Sequence, residues 1–195
     1  MLRHALTFIG LASTFFPACA IAQAVLDRSG PGQDCYQATL LEPTPLHNQQ
    51  AISVCDKAVN EVEGGNNRAA ILVNRADIRL RLSDYQGAVD DSEQGIALNP
   101  QIAVAYLNRG AGLIGLKRYA EAIPSLDKAI AMGTSRPQLA YFNRGIAKEA
   151  LGDIASAYHD YKMAFDLDPK FRLASDQVSR FRVITREDSA APSAQ

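Results

Sequence analysis

Asn74-Arg75-Ala76, Asn108-Arg109-Gly110 and Asn143-Arg144-Gly145 are one triplet written three times, with the Asn residues 34 (108 − 74) and 35 (143 − 108) positions apart. A period of this size belongs to stacked helical hairpins, because one such unit cannot bury its apolar face alone. Other marks keep the same step. Leu82, Leu116 and Leu151 fall 8 residues after each Asn, and Tyr85, Tyr119 and Ile154 fall 11 after it. Ala88, Ala122 and Ala157 come 14 on, Gly95, Ala129 and Ala164 come 21 on, and Pro100, Thr134 and Pro169 come 26 on.

Within a unit the pattern is helical. Tyr119, Ala122, Ile123, Leu126, Ala129 and Ile130 stand at offsets 0, 3, 4, 7, 10 and 11, a single apolar stripe. Small residues in that stripe let the two helices of a hairpin approach closely. Asn99-Pro100 and Asp168-Pro169 disfavour helix before the proline. Ser135-Arg136-Pro137 reads as an N-cap followed by an early proline, which places the extra residue of the longer interval in that turn. Pro124 is expected near the first turn of its helix, where a missing N–H costs little.

The small-residue first helix, the turns Ser83-Asp84-Tyr85 and Lys117-Arg118-Tyr119, the second-helix Ala and the closing Asn-Pro or Asp-Pro resemble tetratricopeptide repeats over about residues 69–171. Arg79, Lys148, Gly95 and Thr134 depart from that pattern. The resemblance, of exported bacterial type, implies an all-α, right-handed solenoid of antiparallel helix pairs with a C-terminal capping helix.

The expected organisation is a signal peptide (1–22), an N-terminal cap with a degenerate half repeat (23–68) and repeats at 69–102, 103–137 and 138–171. A capping helix (172–186) with Leu173, Val178, Phe181 and Ile184 facing inward and a disordered tail (187–195) complete it. In the N-terminal cap, residues 33–41 read as a short helix, 50–62 as a second helix and Gly64-Gly65-Asn66-Asn67 as a loop.

Met1-Leu2-Arg3-His4 is a short basic start, residues 5–16 are apolar but too few to span a membrane, and Ala20-Ile21-Ala22 offers a small-residue cleavage site. Cleavage is expected after Ala22, or after Ala24, and the product in the periplasm or outside the cell. A lipid anchor at Cys19 is disfavoured, since Phe16 and Pro17 fit that processing poorly. Removing the leader leaves Cys35 and Cys55, for which a disulfide is the preferred pairing and two buried thiols the alternative.

At 195 residues, 47% hydrophobic and net charge −1, the chain can bury an ordinary core and gives nucleic acid no basic footprint to follow. Gly110-Ala111-Gly112-Leu113-Ile114-Gly115 matches a dinucleotide fingerprint, but it lies inside a helix with no strand before it. His47 and His159 stand apart from metal ligands, and no nucleophile has a base beside it. No cofactor, metal or catalytic residue is therefore assigned.

Function falls to the first helices, whose inner faces line the groove of a solenoid. At about 100° per residue from Asn74, Leu72, Ala76 and Leu82 face the core, while Val73, Asp77 and Leu80 lie opposite. The expected peptide-binding set is Asn74, Asn108 and Asn143 with Val73, Leu107, Phe142, Ile114 and Ile146. The resemblance implies that the three Asn side chains form a ladder meeting a peptide backbone, as an amide both donates and accepts. The competing uses are an Asn bonded only to the adjoining helix, and an apolar face buried between neighbouring first helices.

Arg falls on the core side, so Arg75 to Asp91 and Arg144 to Asp160 pairs are expected. Arg81 is the only basic residue placed on the groove, which disfavours a clamp for a terminal carboxylate. The expected function is a non-catalytic scaffold of the cell envelope for a protein or peptide partner. An enzyme with an unrecognised site and an adaptor using the convex face are the alternatives.

Overall fold

The computed structural model describes residues 30–41 and 43–181, and the described part is all helix. The leader, Cys19, Ile184 and the 187–195 tail lie outside the described residues. The helices are α1 (Pro31–Thr39), α2 (Pro45–Glu61), α3 (Gly65–Arg81), α4 (Tyr85–Leu98), α5 (Ala103–Gly115), α6 (Tyr119–Ala131), α7 (Pro137–Ala150), α8 (Ile154–Leu167) and α9 (Arg172–Arg180). They pack as hairpins α1/α2, α3/α4, α5/α6 and α7/α8, and each second helix also packs on the first helix of the next pair.

First helices α1, α3, α5 and α7 touch their counterparts along the array, whereas the second helices are not in comparable contact with one another. The stack therefore closes on the first-helix side and splays on the other, which makes the first-helix face concave.

The turns explain the period. Ser83, Lys117 and Gly152 adopt positive φ (61°, 60° and 86°) at matching positions. The next N–H in each case bonds back across the end of the helix, Asp84 to Arg79 O, Arg118 to Leu113 O and Asp153 to Lys148 O, at 2.9, 2.8 and 2.9 Å. This is a left-handed cap that satisfies the last carbonyls. After α6 the same closure recurs at Gly133 (φ 68°), with Thr134 N–H on Ala129 O. α4 and α8 instead end in extended Asn99 and Asp168 before proline, so the extra residue of the 35-residue interval sits in the α6–α7 turn.

The third triplet residue is set by what faces it. A Cβ on Gly110 would lie 2.6 Å from Leu126 Cγ, and one on Gly145 2.8 Å from the Tyr161 ring. The corresponding place in the first pair holds Ser92, small enough for Ala76 to keep its methyl. Gly145→Ala is thus expected to destabilise by about 2 kcal/mol, since overpacking outweighs the gain of about 1 kcal/mol from removing a helical glycine. Urea denaturation checks this, and a variant as stable as the parent would refute it.

Several expectations need correction. α3 starts at Gly65, because Gly64 (φ 106°) makes the turn and leaves Gly65-Asn66-Asn67 in the first helical turn. Pro124 is the sixth residue of α6, past the positions that lack ladder partners. The N-cap of α7 is Arg136, without a side-chain bond, so Ser135 does not cap. Leu173 points out of α9 at 57% exposure, and the inward stripe is Phe171, Ala174, Val178 and Phe181.

The N-terminal half repeat is a helix pair with a nine-residue first helix. Cys35 on α1 and Cys55 on α2 form a disulfide, and both are fully buried among Ala51, Ala58, Ile71, Leu72 and Ile78.

Candidate functional site

Arg leads away from the groove. Arg75 Nε and Nη2 donate to both Asp91 oxygens at 2.8 and 2.6 Å, while Nη1 reaches Asp56 on the preceding second helix at 2.9 Å. Arg144 grips Asp160 at 2.8 and 2.7 Å and Asp127 at 2.6 Å. Arg109 donates to Ser125 Oγ at 2.6 Å and to Glu93 at 2.9 Å. Each guanidinium therefore ties its own second helix to the one before it. Hydrogen bonding to Asp91, opposed by burial, raises the Arg75 pKa, and hydrogen bonding to Asp160 does the same for Arg144. Both stay charged at any working pH.

Asp91 and Asp160 are fully buried and each takes a second cation. Arg79 Nη1 lies 3.3 Å from Asp91 Oδ2, and Lys148 Nζ lies 2.8 Å from Asp160 Oδ2. These are two of the departures from the repeat pattern. The middle pair has Ser125 and Leu113 at the matching places, both buried, so acid and base vanish together. A buried carboxylate needs its partners, and a buried cation without one is costly.

The Asn side chains divide. Asn108 is 1% exposed; its Nδ2 donates to Val73 O at 3.1 Å and its Oδ1 accepts from Arg136 Nη2 at 3.4 Å. It joins neighbouring first helices, so the middle rung of the expected ladder is spent on structure. Asn74 and Asn143 are half-buried, and no side-chain hydrogen bond engages them among the described residues.

The apolar set divides as well. Val73, Leu107 and Phe142 are buried (5, 2 and 8% exposed), which corrects their placement on an open surface. Phe142 packs against the rings of Tyr161 and Phe171 at 5.5 and 5.0 Å. Neighbouring helices cover this level, whereas Ile114 and Ile146 remain half-buried.

Arg136 is the groove residue the sequence reading missed. From the α6–α7 turn it crosses α5 to Asp77 Oδ1 at 2.8 Å, and Arg81 holds the other oxygen of Asp77 at 2.7 Å. The only sequence hint was the extra residue in that turn. Towards the C-terminus Glu149 accepts from Tyr161 Oη at 2.8 Å and pairs with Arg180 of α9. Burial, then the bond to Glu149, pushes the Tyr161 phenol above its ordinary value, while Arg180 and Tyr161 outweigh burial and lower Glu149.

Among the described residues no group of three or more His, Cys, Asp or Glu could hold a metal, and no helix is long and apolar enough to cross a membrane. Residues 139–171, which contain most of α7 and all of α8, match the tetratricopeptide repeat family. The chain carries a tetratricopeptide repeat within an array of like helix pairs.

The tetratricopeptide array has relatives among curated proteins. It is 32% identical to RNA polymerase II-associated protein 3 of Xenopus tropicalis over 58% of this chain and 15% of that protein. It is 29% identical to serine/threonine-protein phosphatase 5 of Rattus norvegicus over 55% of this chain and 21% of that protein. The chain thus spans about a fifth or less of these relatives' length.

Solved structures agree on the fold. The Arabidopsis OM64 TPR domain matches with TM-score 0.57 and 25% identity over 61% of this chain and 98% of that one. The first TPR of Spaghetti (RPAP3), solved bound to the HSP90 peptide SRMEEVD, matches with TM-score 0.53 and 27% identity over 57% and 90%. MamA of Desulfovibrio magneticus RS-1 shares the fold at TM-score 0.61 and 20% identity over 78% and 84%.

Proposed function

We propose that this chain is an exported, non-catalytic scaffold of the bacterial cell envelope that holds a peptide segment of a protein partner against its concave face. The observation that carries the reading is the pair of half-buried amides that no side-chain hydrogen bond engages, Asn74 on α3 and Asn143 on α7, together with half-buried Ile114 on α5 and Ile146 on α7. Amides can meet a peptide backbone of any sequence, and half-buried aliphatic side chains supply apolar contact area. The likeness to a domain solved with a peptide supports this use of the groove. Arg81 and Arg136 are engaged with Asp77, so a terminal carboxylate is not the feature the groove selects. The basic start and the small-residue site at residues 20–22 support export.

A photo-crosslinker at Ile146 in the full-length chain, used in the native envelope, should capture a discrete partner. The Asn74→Ala/Asn143→Ala variant should bind that partner about tenfold or more weakly, at about 1 kcal/mol for each lost hydrogen bond. Unchanged binding by the double variant would remove the two amides from the contact, and no capture at Ile146 would shift the contact away from the concave face. Export is checked on the same preparation, where the mature N-terminus should be Gln23 or Val25. A chain retaining Met1 in the cytoplasm would refute it.

A further inference from the structure

The joints between second helices are copies of one another, with one deviation. At the joints of Arg75 and Arg144, two cations meet carboxylates on two second helices: Arg75 and Arg79 with Asp56 and Asp91, Arg79 also reaching Asp84, and Arg144 and Lys148 with Asp127 and Asp160. At the middle joint Arg109 has one carboxylate, Glu93, and the hydroxyl of Ser125. Glu121, which also lies in the field of Arg109, is itself tied to Arg118 at 2.6 Å.

A cleft of about 450 Å³ opens at this joint, between α4 and α6 with α5 as its floor. Its wall is mostly apolar, from Ile96, Ala97, Tyr106 and Pro124, while Glu93, Arg109, Ser125 and Lys128 also line it. On α8 the places of Pro124, Ser125 and Lys128 hold His159, Asp160 and Met163. The middle joint therefore combines a shortened hydroxyl in place of a carboxylate, an added lysine and an empty volume of ligand size. Among the residues lining the cleft, Arg109 and Lys128 stand against Glu93 alone, which leaves one positive charge of the lining without a carboxylate.

We propose that this convex-side cleft binds a small organic acid, a carboxylate carried on an apolar body. The carboxylate takes the place that Asp91 and Asp160 fill elsewhere, accepting from Arg109 and the Ser125 hydroxyl, with Lys128 adding attraction at the rim. The apolar body lies against Ile96, Tyr106 and Pro124. Charge-assisted bonds to a partly buried guanidinium supply the selectivity for an anion. The site is separate from the concave face and does not depend on its reading.

The probe is 4-phenylbutyrate, titrated into the folded chain and followed by calorimetry and by amide shifts, with the neutral 4-phenylbutanamide as control. The acid should saturate at millimolar concentration or below, shift α4–α6 signals, and bind about tenfold or more tightly than the amide. Ser125→Asp puts a carboxylate where the neighbouring joints have one, so a chain that folds with this change should bind the acid about tenfold or more weakly. Equal affinity for acid and amide in the parent chain overturns the proposal, a result that needs no variant to fold. Undiminished acid binding by a folded Ser125→Asp chain, or shifts confined to the Asn74 and Asn143 face, also overturns it.

Discussion

Replacing Asp160 with serine is expected to lower the unfolding free energy by about 3 kcal/mol, with much of the loss recovered when Lys148→Leu is added. Asp160 is fully buried and holds Arg144 through two hydrogen bonds and Lys148 through an ion pair. Serine keeps one bond to the guanidinium, as Ser125 does for Arg109, and Asp127 still holds the outer Nη1. Lys148 is then left 20% exposed without its carboxylate, and that is the larger share of the cost. Leucine removes the charge, and Leu113 shows that the place accepts it fully buried. A double-mutant cycle in urea measures the coupling directly. Strictly additive losses would mean that Lys148 does not depend on Asp160.

Removing the disulfide is the other large effect. Cys35→Ala/Cys55→Ala should lose about 3 kcal/mol, the loop-closure value for a link across roughly twenty residues. The loss should be uneven. α1 has nine residues, too few to be stable as an isolated helix, and it is held by α2, α3 and the disulfide. Hydrogen exchange should show α1 amides losing protection while α5 to α8 keep theirs. Uniform loss along the chain, or stability within about 0.5 kcal/mol of the parent, would show that the link does not secure the cap.

The register of the fold was legible because the triplet fixes which residues face each other. Arg75 with Asp91 and Arg144 with Asp160 follow from one spacing, and the structure forms both pairs. Arg79 and Lys148 were read as departures, although they occur only where the facing column holds Asp rather than Ser. Comparing the two columns together would have exposed the second cation. Val73, Leu107 and Phe142 were misplaced for another reason. A helical projection orders side chains around one axis but does not say which neighbour covers that side. Arg136 was hidden because its reach to Asp77 spans 59 residues from a turn with no periodic partner.

The arginine ties also set how the array responds to force. Each joint has a cross-brace near its outer edge, where bending the solenoid changes distances most. Arg75 and Arg144 brace theirs with paired carboxylates, and Arg109 with a hydroxyl and an exposed glutamate. Curvature changes should therefore concentrate at the middle joint, making the array two stiff segments on one compliant hinge rather than an evenly elastic coil.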